Sequence, residues 1–264
     1  MIGASVRMNR IFSKADGKAV IVAIDHGGIA GPVPGIVRPS DVVGSCVKAG
    51  ADAILATRGL AQASEGEWDR GTGLILRLTG GFTVLGGGFE EELICDPETA
   101  LRSGADAVAM TVKFGHKREG AFIKQASLAA AACSAWGLPV MIEAMAKQEG
   151  KKANDPEGIR LAARAAQEIG ADMVKTYYTG DPDSFRLVTE GCPVPVIILG
   201  GEKNDSLKSL FEDVYWSIQA GGAGVAIGRN IWAHGRTTAM VEAMNGLVHG
   251  AWSVAQALEH LGES

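Results

Sequence analysis

The sequence predicts a TIM, or (β/α)8, barrel that spans residues 1–264 as a single domain. Eight short apolar segments alternate with helical stretches, and a similar helix-to-strand junction recurs at intervals of roughly fifty to sixty residues. The length of 264 residues also suits one barrel, which typically has about 250 residues. An open doubly wound sheet is the main alternative, but strand count and length favour the closed barrel.

The recurring junction is a helix that ends on glycine and is followed by an apolar strand. It reads KAGADAIL at 48–55, RSGADAVAM at 102–110, EIGADMVKT at 168–176 and QAGGAGVAIG at 219–228. Glycine readily adopts the left-handed conformation that commonly ends a helix. The repeat therefore predicts successive βα units, and no linker divides them.

The predicted strands are continuous apolar runs. Such runs, in contrast to alternating apolar and polar residues, are typical of parallel strands that helices cover on their outer face. In order along the chain, we predict strands near residues 19–24, 53–56, 74–78, 107–112, 139–144, 172–177, 195–199 and 224–228.

The predicted helices show amphipathic spacing and capping residues. Asp155 is a predicted N-cap with Pro156 at the first helical position. Apolar residues follow it on one stripe, at 159, 162, 166 and 169. Another helix is predicted after Asn204 and Asp205, and the final helices run from about residue 236 to 261.

Composition and charge argue against several classes of protein. The net charge of −5 and the pI near 5.6 disfavour nucleic acid as a partner. No run of about 18 uncharged apolar residues predicts a membrane span, and the N-terminal stretch lacks the apolar segment of a secretory signal. The histidines and cysteines are scattered without metal-binding spacing. We therefore expect a cytoplasmic protein that uses no metal or other cofactor.

A lysine near the end of the sixth predicted strand is the first candidate for chemistry. Lys175 follows Met173 and Val174 and precedes Tyr177 by two residues, and the C-terminal strand ends of a barrel form its active-site mouth. Apolar surroundings disfavour the charged amine, and a neutral amine can attack a carbonyl carbon to form a Schiff base. A lysine that extends from a strand end to solvent is the alternative.

Two acidic residues are candidates for proton transfer at the same mouth. Asp25 follows the first strand, where a carboxylate can orient an amine or accept a proton, although turn capping is an equal alternative. Glu143 shares a strand face with Met141 and Met145. If that face lines the barrel, Glu143 is either an acid or base, or the partner of a neighbouring cation.

The ends of strands seven and eight predict a phosphate site. Gly200 and Gly201 follow strand seven, and Gly228 and Arg229 follow strand eight. Barrels commonly bind phosphate at this place through backbone amides and a helix N-terminus. An arginine there can contact two phosphate oxygens. Ordinary strand-to-helix turns are the alternative.

Four segments together resemble the class I aldolases that include archaeal-type fructose-bisphosphate aldolase, 2-amino-3,7-dideoxy-heptulosonate synthase and autoinducer-2 phosphate thiolase. They are AIDHG at 23–27, VKTYYTGD at 174–181, GCPVPVIILGG at 191–201 and GRNIW at 228–232. The resemblance spans nearly the whole chain. It implies that Lys175 forms a Schiff base with a phosphorylated ketone, that Asp25 assists, and that the four residues of the predicted phosphate site hold the phosphate. Glu143 and Tyr177 are further candidates for proton transfer.

One residue departs from the fructose-bisphosphate aldolase branch. That branch has a proton-transferring tyrosine at the end of strand five, where this chain has Met145, whose thioether carries no proton to transfer. The thiolase branch also lacks the tyrosine and is more similar in the VKTYY and GCPVP segments. The resemblance therefore favours a thiolase that acts on 3-hydroxy-5-phosphonooxypentane-2,4-dione. The other two branches are alternatives, and a phosphate-binding isomerase or ligand-binding barrel without Schiff-base chemistry is an alternative of another class.

The resemblance also implies binding partners. We expect a phosphorylated small molecule as substrate, coenzyme A as acyl acceptor in the thiolase case, and a homo-oligomer built from pentamers, often a decamer. The sequence leaves open the aldehyde or acyl half of the substrate, the direction of the reaction and the group that replaces the tyrosine at Met145.

Overall fold

Eight parallel strands close into a barrel in which β1 to β8 are neighbours in chain order and β8 pairs with β1. The computed structural model describes residues 2–86, 88, 90–147, 150–201 and 206–263. The strands are Ala19–Ala23 (β1), Ala53–Ala56 (β2), Gly73–Arg77 (β3), Ala107–Phe114 (β4), Val140–Ala146 (β5), Met173–Thr176 (β6), Val196–Leu199 (β7) and Gly224–Ile227 (β8). The predicted TIM barrel is confirmed, and each strand end lies within two residues of its predicted position.

Helices follow the strands and cover the outside of the barrel. In the described part of the chain they are Ile2–Ile11 (α1), Gly27–Ala30 (α2), Pro39–Lys48 (α3), Arg58–Ala63 (α4), Pro97–Arg102 (α5), Glu119–Ala135 (α6), Pro156–Glu168 (α7), Pro182–Gly191 (α8), Leu207–Gln219 (α9), Arg229–Trp232 (α10), Thr237–Val248 (α11) and Val254–His260 (α12). A 3-10 turn covers Glu65–Glu67, and two short strands, Thr79–Gly80 and Glu92–Leu93, pair antiparallel beyond the end of β3. None of the helices within these described residues is long and apolar enough to cross a membrane.

The predicted caps are present where the structure describes them. The Asp155 side chain accepts a hydrogen bond from the Gly158 amide at the start of α7, and Ile159 on the predicted stripe is fully buried. Helix α9 begins at Leu207 and is capped by Ser206. The predicted start of that helix at residues 204 and 205 lies outside the described residues.

The repeated Gly-Ala-Asp junction has two structural roles at the N-terminal end of the barrel. Its glycines take positive φ angles, as the repeat predicts: 77° at Gly50, 81° at Gly104 and 109° at Gly170. Each aspartate then accepts a hydrogen bond from a backbone amide of the preceding strand. These bonds join Asp52 to Val20 (2.7 Å), Asp106 to Leu74 (3.1 Å) and Asp172 to Val140 (2.9 Å). The motif therefore ties β1 to β2, β3 to β4, and β5 to β6.

The barrel interior is filled by small and apolar side chains that alternate along the strands. The buried interior cluster consists of Ile11, Ala19, Ile21, Ala23, Ala53, Leu55, Ile75, Ala107, Ala109, Met141, Met173, Ile197 and Ala226. Its member Ile11 comes from α1, together with the partly buried Met8 on the same helix. Since inward-facing residues recur every second position, the positions two residues beyond this cluster lie at the C-terminal mouth.

Candidate active site

A polar layer continues the apolar interior at the mouth of the barrel. Two residues beyond the apolar interior positions of β1, β3, β4, β5 and β6 lie, respectively, Asp25, Arg77, Thr111, Glu143 and Lys175. We call these five residues the polar layer. Five strands thus converge on one set of hydrogen-bonding side chains. The inward orientation of Glu143, one of the two possibilities left open by strand parity, is the one observed.

Lys175 and Glu143 form a close ion pair inside the mouth. The strand register places them directly opposite each other on β5 and β6, and Lys175 Nζ lies 2.6 Å from Glu143 Oε1. Their side chains are only 6% and 13% exposed. The prediction of a poorly hydrated lysine therefore holds, but its neighbours are not only apolar. A carboxylate oxygen that could accept a proton from the amine therefore lies within hydrogen-bonding distance of it.

Arg77 connects the two carboxylates of the polar layer. Its Nε donates to Asp25 Oδ2 at 2.7 Å, Nη1 donates to Thr111 Oγ1 at 2.7 Å, and Nη2 donates to Glu143 Oε2 at 3.0 Å. Thr111 Oγ1 in turn donates to Glu143 Oε2 at 2.7 Å. The guanidinium is 12% exposed, so these are largely desolvated, charge-assisted contacts.

These contacts hold both carboxylates in the ionised form. Burial raises the pKa of Glu143, but the charges of Lys175 and Arg77 lower it more, to about 2. Burial likewise raises the pKa of Asp25, and the Arg77 charge, with help from His26 and Lys175, moves it well below the ordinary range. Both groups are therefore carboxylates at neutral pH.

Arg77 and Thr111 were not predicted from the sequence. A signal for Arg77 was present, because it interrupts the apolar run LILRL of β3, and an arginine in a buried strand needs a buried partner. Thr111 gave no such signal. Its place next to Glu143 depends on the register between β4 and β5.

A second ring of side chains borders the mouth above the polar layer. Glu91 is buried, its carboxyl is hydrogen-bonded to Thr79, and burial raises its pKa. Lys113, near the end of β4, lies with its amine 5.2 Å from the Phe82 ring, and burial lowers its pKa. These residues lie within electrostatic reach of Arg77 and Glu143, and the sequence did not identify Glu91.

Met145 and Tyr177 each lie two residues beyond a member of the polar layer. Met145 follows Glu143 on β5, is opposite Lys113 in the register, and is partly exposed. Tyr177 follows Lys175 and is partly buried, and its ring lies beside Gly201. Met145 therefore occupies the mouth without offering a titratable group.

The predicted phosphate residues lie together at the ends of β7 and β8. Arg229 Nη2 donates to the Gly201 carbonyl at 3.0 Å, and Asn230 Nδ2 donates to the Gly200 carbonyl at 3.0 Å. Arg229 Nε is buried and has no hydrogen-bond partner among the described residues. Close packing also requires glycine at position 228, because a Cβ there would collide with the Ala23 carbonyl of β1.

A closed parallel barrel with a buried lysine–carboxylate pair at its C-terminal mouth fits an enzyme of the aldolase class. The chain belongs to the DeoC/LacD family aldolases, whose family model matches residues 19–234. It is a class I aldolase of that family.

Named relatives agree with this assignment. The chain is 31% identical over 250 residues to 2-amino-4,5-dihydroxy-6-oxo-7-(phosphonooxy)heptanoate synthase from Streptomyces griseus, covering 94% of this chain and 90% of the relative. It is 31% identical over 274 residues to an uncharacterized aldolase from Saccharolobus solfataricus, covering 99% and 100%. An archaeal fructose 1,6-bisphosphate aldolase superposes with a TM-score of 0.84 at 30% identity, covering 94% of this chain and 99% of the other. Another structure, of such an aldolase with its catalytic lysine bound to the carbinolamine intermediate, also has a TM-score of 0.84 at 30% identity, covering 93% and 99%.

Proposed function

We propose that the protein cleaves or forms a carbon–carbon bond of a phosphorylated ketose-like substrate through a Schiff base on Lys175. The observation that carries this proposal is the 2.6 Å contact between the buried Lys175 amine and the ionised Glu143. The name of the Streptomyces griseus relative describes a compound with an oxo group and a phosphonooxy group. The name of the structural relative describes a sugar bisphosphate. Both support a phosphorylated substrate of this kind.

The pair supports the first chemical step. Glu143 Oε1 takes a proton from the Lys175 ammonium, and the neutral amine then adds to the substrate carbonyl carbon. The contacts that keep Glu143 ionised oppose this transfer. The transfer nevertheless leaves no isolated charge, because two buried charges become two neutral groups. Glu143 returns the proton to the carbinolamine oxygen, which leaves as water. The resulting iminium nitrogen accepts the electron pair of the breaking carbon–carbon bond.

Asp25 and the strand-end glycines complete the proposed site. Asp25, which is paired with Arg77, is proposed to accept the hydroxyl proton that is released when the bond breaks. Gly200, Gly201, Gly228 and Arg229 are proposed to hold the phosphate, and the buried, unpartnered Nε of Arg229 supports this role. Tyr177, whose ring lies beside Gly201, is proposed to contact the substrate.

Borohydride trapping tests the proposal directly. The protein is incubated with dihydroxyacetone phosphate or fructose 1,6-bisphosphate, reduced with borohydride and digested, and we expect a reduced adduct on the peptide that carries Lys175. Lys175→Ala should remove both the adduct and turnover, whereas the exposed Lys147→Ala should retain both. Absence of an adduct on that peptide with both substrates overturns the proposal.

Acyl transfer to coenzyme A is the second candidate, and Met145 is the observation that favours it. The resemblance assigns a proton-transferring tyrosine to this position in the fructose-bisphosphate aldolase branch. In this chain Met145 has a thioether there, which carries no proton to transfer. Cleavage of a phosphorylated 2,4-dione that depends on added coenzyme A would support the thiolase. If turnover of a ketose phosphate proceeds at the same rate without coenzyme A, the aldolase assignment stands and the thiolase does not.

A further inference from the structure

We propose that Arg77 is a positioning residue that directs the Glu143 carboxylate towards Lys175 and fixes it relative to Asp25. The inference rests on the proposed Schiff-base function and adds to it a residue outside the lysine, carboxylate and phosphate groups considered so far. It starts from the way in which one guanidinium distributes its hydrogen bonds within the polar layer.

Each of the three guanidinium nitrogens has a different partner. Nε contacts Asp25, Nη1 contacts Thr111 and Nη2 contacts Glu143, all at 2.7–3.0 Å. The guanidinium is planar and its donors point in fixed directions, so these contacts set the two carboxylates at a defined separation. A lysine ammonium carries charge but cannot reproduce three directed contacts from one plane.

The two oxygens of Glu143 consequently have different surroundings. Oε2 accepts from Arg77 Nη2 and Thr111 Oγ1, whereas Oε1 faces Lys175 Nζ at 2.6 Å. With Oε2 anchored, the carboxylate cannot rotate away from the amine without breaking two hydrogen bonds. Oε1 is thereby presented as the proton acceptor, as near-attack geometry requires.

Arg77 also keeps the charge of the polar layer balanced throughout the reaction. In the resting site two cations, Arg77 and Lys175, face two anions, Asp25 and Glu143. Once the proton has moved to Glu143, the pair of Arg77 and Asp25 remains and is still neutral. Among the residues that the structure describes, other titratable groups that act on this layer include His26, with Nδ1 3.4 Å from Asp25, and Glu91 and Lys113 at its rim.

Three variants test this role: Arg77→Met, Arg77→Lys and Thr111→Val. We expect Arg77→Met to lower kcat about 100-fold, because loss of orientation at the reacting group has effects of this size. Arg77→Lys should lower kcat about tenfold or more, and Thr111→Val less than Arg77→Met. KM for the phosphorylated substrate should change less than about threefold in all of them, because the phosphate residues lie at other strand ends.

The pH profile separates positioning from a merely structural role. Without the guanidinium, Glu143 should bind a proton at higher pH, so the acidic limb of the trapping rate on Lys175 should move to higher pH in Arg77→Met. In Arg77→Lys, which retains the charge, the limb should stay near that of the parent while kcat falls. Arg77→Lys with parental kcat overturns the proposal, and so does an unmoved limb in a folded Arg77→Met. If Arg77→Met does not fold, the result for Arg77→Lys decides.

A second measurement keeps the two proposals distinguishable. Carbon-13 NMR titration of the Glu143 carboxyl, assigned with Glu143→Gln, reports on Arg77 without any substrate. If the parent gives no adduct on Lys175, the Schiff-base function fails, but the titration still decides whether Arg77 holds Glu143 ionised. Titration of Glu143 at the same pH in the parent and in Arg77→Met overturns the inference for Arg77.

Discussion

Arg229 lies at the ends of β7 and β8, and only part of the hydrogen-bonding capacity of its guanidinium is used. Nη2 donates to the Gly201 carbonyl, whereas Nε is buried and has no hydrogen-bond partner among the described residues. A buried donor without a partner is costly. An anion at this place would satisfy it and would meet the positively charged guanidinium at the same time.

We therefore expect Arg229→Ala to raise KM for a phosphorylated substrate about tenfold and to change kcat much less, because the proposed phosphate site lies at strand ends other than that of Lys175. Steady-state kinetics with dihydroxyacetone phosphate and with unphosphorylated dihydroxyacetone would show the effect only for the former. Arg164→Ala is the matched control, since Arg164 is an exposed helical arginine paired with Glu168. An unchanged KM in Arg229→Ala would remove this residue from the phosphate site.

Some residues of the candidate site could be predicted from the sequence and others could not, for a physical reason. Lys175, Asp25 and Glu143 could be found from the sequence, because each is a charged residue near the C-terminal end of an apolar strand. Their mutual contacts could not be found, because these depend on the register between strands far apart in the chain. Glu143 meets Thr111 and Lys175 because both lie directly opposite it on the neighbouring strands.

At the scale of elements, the sequence predicted the strands well because each is a continuous apolar run between two turn signals. Helix α1 and the short antiparallel strands Thr79–Gly80 and Glu92–Leu93 were not predicted. Strands of two residues carry no periodicity, and α1 shows only a weak apolar stripe, of which Ile11 alone is fully buried. The Gly-Ala-Asp repeat was recognised as a turn, but the role of its aspartate required the structure.

If the aspartate of the Gly-Ala-Asp motif joins neighbouring strands, its removal should lower stability without lowering catalytic activity. Asp106 is buried and accepts from the Leu74 amide while it pairs with Arg10. Asp106→Ala leaves that buried amide without an acceptor, so we expect the free energy of unfolding to fall by about 1–3 kcal/mol. Urea denaturation would measure the loss, and kcat and KM should stay within about twofold of the parent, because the N-terminal strand ends are remote from the mouth.

Two other aspartates provide the comparison for this variant. Asp172→Ala should lower the free energy of unfolding less than Asp106→Ala does, because Asp172 accepts the equivalent hydrogen bond from Val140 at an exposed position. Asp183→Ala should cost almost nothing, because Asp183 is 85% exposed and forms only a surface pair with Arg186. Equal losses for the three variants, or a loss of kcat in Asp106→Ala, would contradict a structural role of the motif.

At the scale of the whole molecule, the barrel separates stability from chemistry along its axis. The N-terminal end contains the hydrogen bonds from strand amides to the aspartates of the Gly-Ala-Asp motif, and Ile11 of α1 packs into the interior. The middle of the barrel is the apolar interior. Only the C-terminal mouth carries the polar layer. That layer is itself a buried ion network drawn from five strands, so its protonation state contributes to the stability of the entire fold.

The contribution of Glu143 should make stability depend on pH in the acidic range. Its pKa is lowered from an ordinary value of 4.5 to about 2 in the folded protein. A lowered carboxyl pKa means that the stabilisation is fully present above the unfolded-state pKa and is lost as pH falls through the folded-state pKa. The unfolding free energy of the parent should therefore fall by roughly 3 kcal/mol between about pH 5 and pH 2 as Glu143 and its coupled partners titrate.

Glu143→Gln isolates that contribution from the rest of the molecule. Urea denaturation at a series of pH values should show the parent about 3 kcal/mol more stable than Glu143→Gln near pH 6 and the two proteins converging near pH 2. Asp25 and Glu91 are present in both proteins but interact with Glu143, so the difference between the two curves reports Glu143 together with its coupling to these groups. Parallel stability curves across this range would show that Glu143 is not held ionised by Arg77 and Lys175.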